Sequence, residues 1–340
     1  MKIVAGISAR VLAARIATAV GGGCKVAACE FKRFPDGELY TRVADDLKGE
    51  EVVVVQSVRT DSDLVCLLQL LDAVGGGEGG GEGGGEGGGG EEASRIRVVI
   101  PYLGYARQDK RFKPGEAVSS RAVARSISAA AGAGVVEEIF VVNPHNSGVL
   151  RYFDAKTTEL DASPLLGGFV AKKEEEEEKE EEEKGEEEEK GEEVEKEVEE
   201  KTRKRSLGEV VVGPDEGAAG LAKEVAAPYG LDYDVLEKRR ISGAEVEIKP
   251  KELSVAGRNV VIVDDIISTG GTIAEAATLL KAQGANEISV ACVHGVFENV
   301  PNAVPRMLRA GVKEIVATDT IESEFSRISV ARLVAEALKI

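Results

Sequence analysis

Apolar runs alternate with amphipathic segments along most of the chain. Runs rich in Val and Ile occupy residues 51–57, 95–103, 137–145 and 259–265. After each run, apolar residues recur at intervals of three or four, which is the spacing of a helix face. Nearly continuous apolar strands that alternate with helices are typical of parallel sheets with helices on both faces. The pattern therefore predicts an α/β protein.

The same pattern predicts two successive domains. The predicted strands cover residues 2–6, 51–57, 95–103, 137–145, 208–215, 259–265, 287–297 and 314–320. The predicted helices cover residues 11–20, 62–74, 119–132, 163–173, 217–230, 271–284 and 303–311. We interpret residues 1–150 as one α/β domain and 151–340 as a second, and expect that the last helix can pack on the first domain.

Two low-complexity segments interrupt this alternation. Residues 75–92 are built on a GGGE repeat, and residues 172–204 hold 19 Glu against nine Lys and Arg. Neither segment has the apolar content of a core, and each falls between a predicted helix and a predicted strand. We interpret both as surface insertions. The first is a flexible tether, whereas the second is either an exposed helix with i,i+4 ion pairs or a disordered loop.

Composition narrows the class of protein. The net charge of the 340 residues is −18, but residues 172–204 contribute −10 and residues 75–92 contribute −5, so the remainder is almost neutral. No broad basic face is indicated, and we expect no nucleic-acid partner. The four cysteines form no CxxC pair, which favours reduced thiols in a cytoplasmic protein. No apolar run approaches the length of a membrane span, so we expect no membrane partner.

The most informative motif is VVIVDDIISTGGT, residues 260–272. Ligands of open α/β sheets bind beyond the carboxyl ends of the strands, where Asp264 and Asp265 are predicted to lie. Two adjacent carboxylates can accept hydrogen bonds from neighbouring hydroxyls, as on a ribose ring. The loop that follows opens a helix, so its backbone N–H groups and hydroxyls can surround a phosphate. The phosphate-loop residues are Ser268, Thr269, Gly270, Gly271 and Thr272.

An ordinary strand–turn–helix junction is the alternative for such a loop, and for an isolated TGG sequence it is the better interpretation. The complete string resembles the phosphoribosyl-diphosphate (PRPP) motif of type I phosphoribosyltransferases and PRPP synthetases. Five further sequence blocks resemble motifs of the ribose-phosphate pyrophosphokinase family and follow one another in the same order. The stretch KRFKPGEAVSSR is most similar to archaeal members. The five blocks are FPDGELYTRV (34–43), PYLGYARQDKRFKPGEAVSSRAVA (101–124), NPHNSGVLRYF (143–153), VVVGPDEGAAGLAKEVA (210–226) and LEKRRISGAEV (236–246).

This resemblance implies two tandem domains of the type I phosphoribosyltransferase kind, with ATP on the first and ribose 5-phosphate on the second. The aromatic ring of Phe34 can cover an adenine, and Asp36 and Glu38 can accept from its amine or from the ribose. Without the family, a plain polar turn would be the preferred interpretation of residues 34–38. The resemblance also assigns the following residues to ATP: Arg107, Gln108, Asp109 and His145.

The resemblance further implies Mg²⁺ as the cofactor, with His145 and Asp215 as the residues that hold or support it. Mg²⁺ prefers oxygen ligands and keeps several waters, so one carboxylate together with ATP phosphates suffices. Taken alone, His145 would more often be structural. His294 is expected near the sugar site.

Lys238 and Arg240 are implied as the catalytic cations, on a mobile loop that closes over the reacting phosphates. Three adjacent cations, KRR at 238–240, would otherwise indicate only a solvated loop. Two positions depart from the family pattern: Ala218 stands where a second Gly is usual, and Ser268 where Asp is frequent. Ala218 is expected to crowd the backbone near the metal.

The implied reaction transfers the diphosphate of Mg-ATP to the 1-hydroxyl of ribose 5-phosphate, which gives PRPP and AMP for nucleotide biosynthesis. Two alternatives stay open. One is a non-catalytic regulatory homologue, which would be expected to lose the KRR or ATP blocks that are intact here. The other is a phosphoribosyltransferase with an unusual first domain. The family implies a homo-oligomer of two or more chains, whereas the number of chains and any regulation by ADP or phosphate cannot be read from the sequence.

Overall fold

The computed structural model describes residues 1–75, 93–130, 135–171, 207–240, 246–250 and 254–339. For residues 237–240, 246–250 and 298–299 the description is limited to the backbone. Within these ranges, no helix is both long enough and apolar enough to cross a bilayer.

The strands and helices follow one another in an α/β order. The strands are β1 Lys2–Ala5, β2 Lys25–Val26, β3 Cys29–Arg33, β4 Leu39–Val43, β5 Glu51–Val55, β6 Arg95–Ile100, β7 Val136–Val142, β8 Lys156–Leu160, β9 Val210–Gly213, β10 Asp232–Arg240, β11 Val246–Pro250, β12 Val260–Ile267, β13 Ile288–Gly295, β14 Val312–Thr318 and β15 Ser326–Ile328. The helices are α1 Arg10–Val20, α2 Asp61–Gly75, α3 Ser119–Ala130, α4 Ser163–Ala171, α5 Ala219–Ala226, α6 Gly271–Ala282, α7 Ala303–Arg309 and α8 Ala331–Leu338.

The first sheet has the strand order β2-β1-β5-β6-β7-β8, and all its pairs are parallel. β8 pairs with β7 from Lys156 to Leu160. The first sheet therefore ends at residue 160 rather than at the predicted boundary of 150, because the short β8 completes its edge. The polar sequence of β8, KTTEL, carries no apolar run that could have marked it as a strand.

The second sheet has the order β11-β10-β9-β12-β13-β14-β15, and only β10 and β11 pair antiparallel. Its central strands are the apolar runs seen in the sequence. The two sheets confirm the predicted α/β class with mostly parallel strands.

Helices cover both faces of both sheets, and the strands alternate their buried residues between the two faces. Val53 and Val55 pack toward α1, α4, α5 and α8, in a core shared with the second sheet. Val52 and Val54 pack on the opposite face with α2 and α3. The second sheet likewise buries its other face against α6 and α7. Strands buried on both faces need apolar residues at most positions, which explains the nearly continuous Val and Ile runs.

The two halves are tied together by α8 and its surroundings. α8 packs against α1, and the guanidinium of Arg15 donates to the buried carboxylate of Asp319 at 2.7 Å. The Arg97 guanidinium on β6 is buried and donates to the carbonyl of Leu338 at 2.7 Å. Glu322 accepts from the N–H of Leu12 near the start of α1 at 2.7 Å. These contacts fix the second sheet relative to the first and so define the cleft between their strand ends.

Candidate active site

The aspartate pair lies inside β12, near its carboxyl end. Asp264 pairs with Cys292 of β13, and Ile266, one residue beyond Asp265, pairs with His294. The strand thus continues through Ile267, two residues past the point at which the sequence predicted its end. The ladder to β13 holds the backbone of both aspartates, and this gives the two carboxylates fixed positions at the edge of the sheet.

Burial and mutual repulsion set the ionisation of this pair. The pKa of Asp264 is raised to about 7, first by burial and then by the negative charges of Asp265 and Asp215. Burial alone would also raise the pKa of Asp265, but the hydrogen bond and charge of His145 outweigh it and lower that pKa. The two environments therefore give the adjacent carboxyls different pKa values, and Asp265 loses its proton more readily than Asp264.

His145 of the first sheet reaches Asp265 of the second. Its Nδ1 lies 2.7 Å from Oδ2 of Asp265. The hydrogen bond to Asp265 is the largest cause that raises the pKa of His145, although partial burial acts against it. Because His145 follows β7 and Asp265 belongs to β12, this contact closes the cleft between the two sheets.

The phosphate-loop residues 268–272 follow β12 and open α6. Gly270 has φ +66°, in the left-handed region that favours glycine, and an added Cβ would lie 2.9 Å from the Met307 side chain. The Gly271 N–H points to the hydroxyl of Thr269 at 3.4 Å. Thr269 and Thr272 are exposed, whereas Ser268 is half-buried. The loop therefore presents hydroxyls and a helix N-terminus to solvent, as an anion site requires.

Arg306 adds a positive charge beside this loop. It lies on α7, and its Nη1 donates to the carbonyl of Thr269 at 3.2 Å. No sequence pattern indicated this neighbour, because 33 residues, including strand β13, lie between Thr272 and Arg306. Its only signal is the basic character of α7, which is a frequent feature of exposed helices.

Of the residues predicted on the ATP side after β6, Arg107 contacts the second sheet, whereas Gln108 and Asp109 contact other segments of the first half. Arg107 reaches across the cleft, with its Nη2 3.5 Å from the carbonyl oxygen of Ile266. The Gln108 side chain accepts from the Ser119 hydroxyl at the start of α3 at 2.9 Å. The Asp109 carboxylate accepts from the amide of Asn146 at 2.6 Å. The Gln108 side chain thus binds the start of α3, and the Asp109 side chain binds Asn146 in the segment that carries His145.

Asp215 follows β9, the strand next to β12, and lies at the same sheet edge as Asp264. Its carboxylate accepts from the N–H of Gly217 at 2.9 Å and is exposed. Ala218 is buried, and a Cβ added to Gly213 would approach it to 3.2 Å. Ala218 therefore packs against the end of β9. In the described part of the chain, no three His, Cys, Asp or Glu side chains form a group able to hold a metal on their own.

Phe34, Asp36 and Glu38 lie on the turn of a β3–β4 hairpin that the sequence did not predict. The Asp36 carboxylate accepts from the Glu38 N–H at 3.2 Å, and the Phe34 ring meets the Tyr40 ring edge-on at 6.1 Å. Phe34 is 49% exposed. Among the described residues, no hydrogen bond or ring contact of these three side chains reaches Arg107 or His145.

Lys238 and Arg240 belong by their backbone to β10, where they pair with Ile248 and Val246 of β11. The expectation of a loop at 238–240 is therefore wrong for the backbone, because the antiparallel ladder to β11 continues the strand. Their side chains, and residues 241–245, fall outside the described part of the chain. The polar sequence of β10 hid it from a prediction based on apolar runs.

His294 is the second residue whose importance the sequence understated. It is 1% exposed in β13. Its Nε2 lies 3.0 Å from the carbonyl of Asn143, and its Nδ1 lies 2.9 Å from the hydroxyl of Thr320. The Tyr102 ring packs on the imidazole with 4.9 Å between centroids. His294 is thus near the aspartate pair, as expected, but it contacts the first sheet instead of facing the cleft.

Comparisons with known proteins agree with the fold. Residues 185–326 match the phosphoribosyl transferase domain, and residues 1–77 and 90–132 match the N-terminal domain of ribose phosphate pyrophosphokinase. A ribose-phosphate pyrophosphokinase of Methanosarcina acetivorans is 45% identical, over 100% of this chain and 99% of the relative. One from Methanosarcina mazei is 44% identical, over 99% and 95%.

A solved structure of phosphoribosylpyrophosphate synthetase from Mycobacterium smegmatis superposes with a TM-score of 0.72 at 25% identity, covering 99% of this chain and 97% of that one. The fold and the cleft define a protein of the phosphoribosyltransferase class with two such domains in tandem. Within that class, the chain belongs to the ribose-phosphate pyrophosphokinase family. The predicted family and fold class are confirmed.

Proposed function

We propose that this protein transfers the diphosphate of ATP to the 1-hydroxyl of ribose 5-phosphate. The oxygen of that hydroxyl attacks the β-phosphorus, the bond from the β-phosphorus to the α,β-bridging oxygen breaks, and AMP leaves with that oxygen. The hydroxyl proton is lost to solvent. The observation that carries the proposal is the 2.7 Å contact between His145 and Asp265, since it brings ATP-side and sugar-side residues within the span of one small sugar.

The acceptor sugar binds at the end of β12. Asp264 and Asp265 accept hydrogen bonds from its two ring hydroxyls. The phosphate-loop residues donate backbone N–H groups and hydroxyls to its 5-phosphate, which the dipole of α6 favours. Arg306, whose Nη1 lies 3.2 Å from the Thr269 carbonyl, supplies a further cation for that phosphate.

The nucleotide binds against the first sheet. Arg107 lies at the cleft and offers a fork of donors to phosphate oxygens. His145 stays near the same phosphates, with a raised pKa that favours its charged form. Gln108 and Asp109 fix the nucleotide through the backbone segments that they hold. Positioning of the two reactants provides most of the rate enhancement in such transfers.

The residues at the edge of the second sheet fit a bound Mg²⁺. Asp215 is an exposed carboxylate, and its negative charge contributes to the raised pKa of Asp264, which a cation between them would relieve. Asp215 would hold the ion, and His145 would support it as a cation beside the phosphates or, once it loses a proton, as a ligand. ATP phosphates would complete the coordination. When bound, Mg²⁺ neutralises charge on the transferred diphosphate.

Lys238 and Arg240 provide the catalytic cations that stabilise the transition state. β10, which carries both residues, pairs antiparallel with β11 at the edge of the second sheet, and closure of the segment at 238–240 over the cleft excludes water from the reacting phosphates. This arrangement limits wasteful hydrolysis of ATP.

The enzyme works as a homo-oligomer in the cytoplasm. The exposed Phe34 turn adjoins a groove of about 460 Å³ lined by Tyr40 and Leu68. No described hydrogen bond or ring contact joins its side chains to Arg107 or His145 of the same chain, and it contacts adenine in a second copy. Free thiols at all four cysteines suit a reducing compartment. Mixing Phe34→Ala chains with His145→Ala chains tests the shared site: hybrid assemblies should regain activity that each variant lacks.

AMP formation tests the proposed reaction. ATP, Mg²⁺ and enzyme are incubated with ribose 5-phosphate, with ribose, or with neither. AMP should form only with ribose 5-phosphate. AMP formation that does not depend on the sugar phosphate would refute the proposal, and so would consumption of PRPP only when a purine or pyrimidine base is added.

A further inference from the structure

His294 links the two halves of the cleft through its imidazole. A carbonyl oxygen can only accept a hydrogen bond, so the Nε2 that lies 3.0 Å from the Asn143 carbonyl must donate. Burial lowers the pKa of His294 to about 4, and the ring is therefore neutral near pH 7. Its Nδ1 then accepts from the Thr320 hydroxyl at 2.9 Å. The Val293 carbonyl, 3.0 Å from the same hydroxyl, still accepts from Thr318 at 2.7 Å. Both ring nitrogens are occupied, and the direction of the ring is fixed.

The acceptor, Asn143, is held on every side. Its N–H donates to the carbonyl of Leu160 at 3.0 Å, and its side-chain oxygen accepts from the Ala162 N–H at 2.7 Å. Its amide group donates to Asp161 at 3.0 Å. Asn143 also has φ +34°, which is unusual for a residue other than glycine. The carbonyl that meets His294 is thus part of a constrained turn.

That carbonyl determines where His145 goes. The peptide bond between Asn143 and Pro144 is planar, so the oxygen bound by His294 fixes the plane that contains the Pro144 nitrogen. The proline ring then fixes φ of Pro144. Only ψ of Pro144 stays free before the backbone reaches His145. A hydrogen bond at Asn143 therefore restricts where the Cα of His145, two residues later, can lie.

His294 lies on β13, the strand beside the one that carries Asp265. It pairs with Ile266 in the β12–β13 ladder, so its position follows that of the aspartate pair. We propose that His294 is a positioning residue, which sets the approach of His145 to Asp265 by donating its Nε2–H to the Asn143 carbonyl. This inference rests on the role proposed above for His145.

Three substitutions separate positioning from simple support of the core. The side chain of His294→Gln places an amide donor about where Nε2 lies, whereas His294→Asn ends near the position of Nδ1 and His294→Phe has no donor. We expect kcat to fall about tenfold or more in the Asn and Phe variants, with KM for ribose 5-phosphate changed less than about threefold. The Gln variant should recover most of the lost kcat.

The imidazole NMR spectrum supplies the decisive readout, because the chain has only two histidines. In any His294 variant the remaining imidazole signals come from His145. At one fixed pH, these signals should match the wild-type His145 signals in the Gln variant and should be displaced in the Asn and Phe variants. If the latter two do not fold, Thr320→Val removes the Nδ1 partner, and it should displace the His145 signals and lower kcat.

Either of the following two results would overturn the inference. Wild-type kcat and unmoved His145 signals in His294→Asn would show that the Asn143 contact does not position His145. Equal loss of kcat in all three variants with unmoved signals would show a purely structural role. His145→Ala, tested beside them, identifies the cause of failure: if it retains full kcat, the proposed role of His145 is itself wrong, whereas a large loss there leaves that role intact.

Discussion

His145 and Asp265 form a hydrogen bond of 2.7 Å between the two sheets. Each residue changes the ionisation of the other: the hydrogen bond raises the pKa of His145, and it contributes to the lowered pKa of Asp265. A partly exposed pair of this kind adds little stability by itself. The pair matters for the geometry of the site, since it places the imidazole of His145, which can carry a positive charge, beside the carboxylates of the second sheet.

Replacing Asp265 by Asn should lower the pKa of His145. Loss of the carboxylate removes both the hydrogen bond to a charged acceptor and its negative charge, so the imidazole gives up its proton at a lower pH. A histidine NMR titration between pH 5 and 8.5 follows His145 cleanly, because the pKa of His294 is about 4. A pKa of His145 that stays the same or rises would show that Asp265 does not stabilise the imidazolium.

The three adjacent cations of β10 offer an internal control. Residues two apart share a face of a strand, so positions 238 and 240 share one face and position 239 belongs to the other. Lys238→Ala and Arg240→Ala should each lower kcat about a hundredfold or more, with smaller effects on KM for ribose 5-phosphate. Arg239→Ala should change kcat far less. Turnover at the wild-type level in Lys238→Ala would remove that residue from the catalytic assignment.

Arg306 and Arg309 provide a matched pair on α7. Arg306 donates to the Thr269 carbonyl, whereas Arg309 lies in the last turn of the same exposed helix. Arg306→Ala should raise KM for ribose 5-phosphate about tenfold, because a charge-assisted contact to phosphate is worth roughly 1.5–3 kcal/mol, and it should leave kcat nearly unchanged. Arg309→Ala removes the same charge and should leave KM unchanged. Equal effects of the two substitutions would indicate that only the overall positive charge of α7 attracts the sugar phosphate.

Deletion of either low-complexity insertion should leave activity intact. Residues 75–92 connect the end of α2 to the start of β6, and residues 172–204 lie between α4 and β9. Each connection leads from the end of a helix to the start of a strand. The strand starts lie at the sheet edge opposite the ligands. Val170 and Leu207 are already hydrogen-bonded at 3.2 Å, so a shortened link between them needs no rearrangement. A collapse of the affinity for ATP after deletion of 76–90 or 174–202 would contradict this placement.

The sequence predicted the buried strands well, because strands covered on both faces are apolar at most positions. It missed β8 and β10, whose sequences are polar at the sheet edges, and it missed the β3–β4 hairpin. The aspartate pair and the glycine loop were found because their chemistry is local. The contacts of His294 with Asn143 and of Arg306 with Thr269 join residues far apart in the chain, and no local pattern encodes them.

Product analysis by ³¹P NMR tests the central claim most directly, because transfer of a diphosphate and transfer of a single phosphate give different nucleotides. With Mg²⁺, ATP and ribose 5-phosphate, the account predicts AMP and PRPP in equal amounts, with little orthophosphate. Formation of ADP with a sugar bisphosphate, or release of phosphate without PRPP, would contradict it.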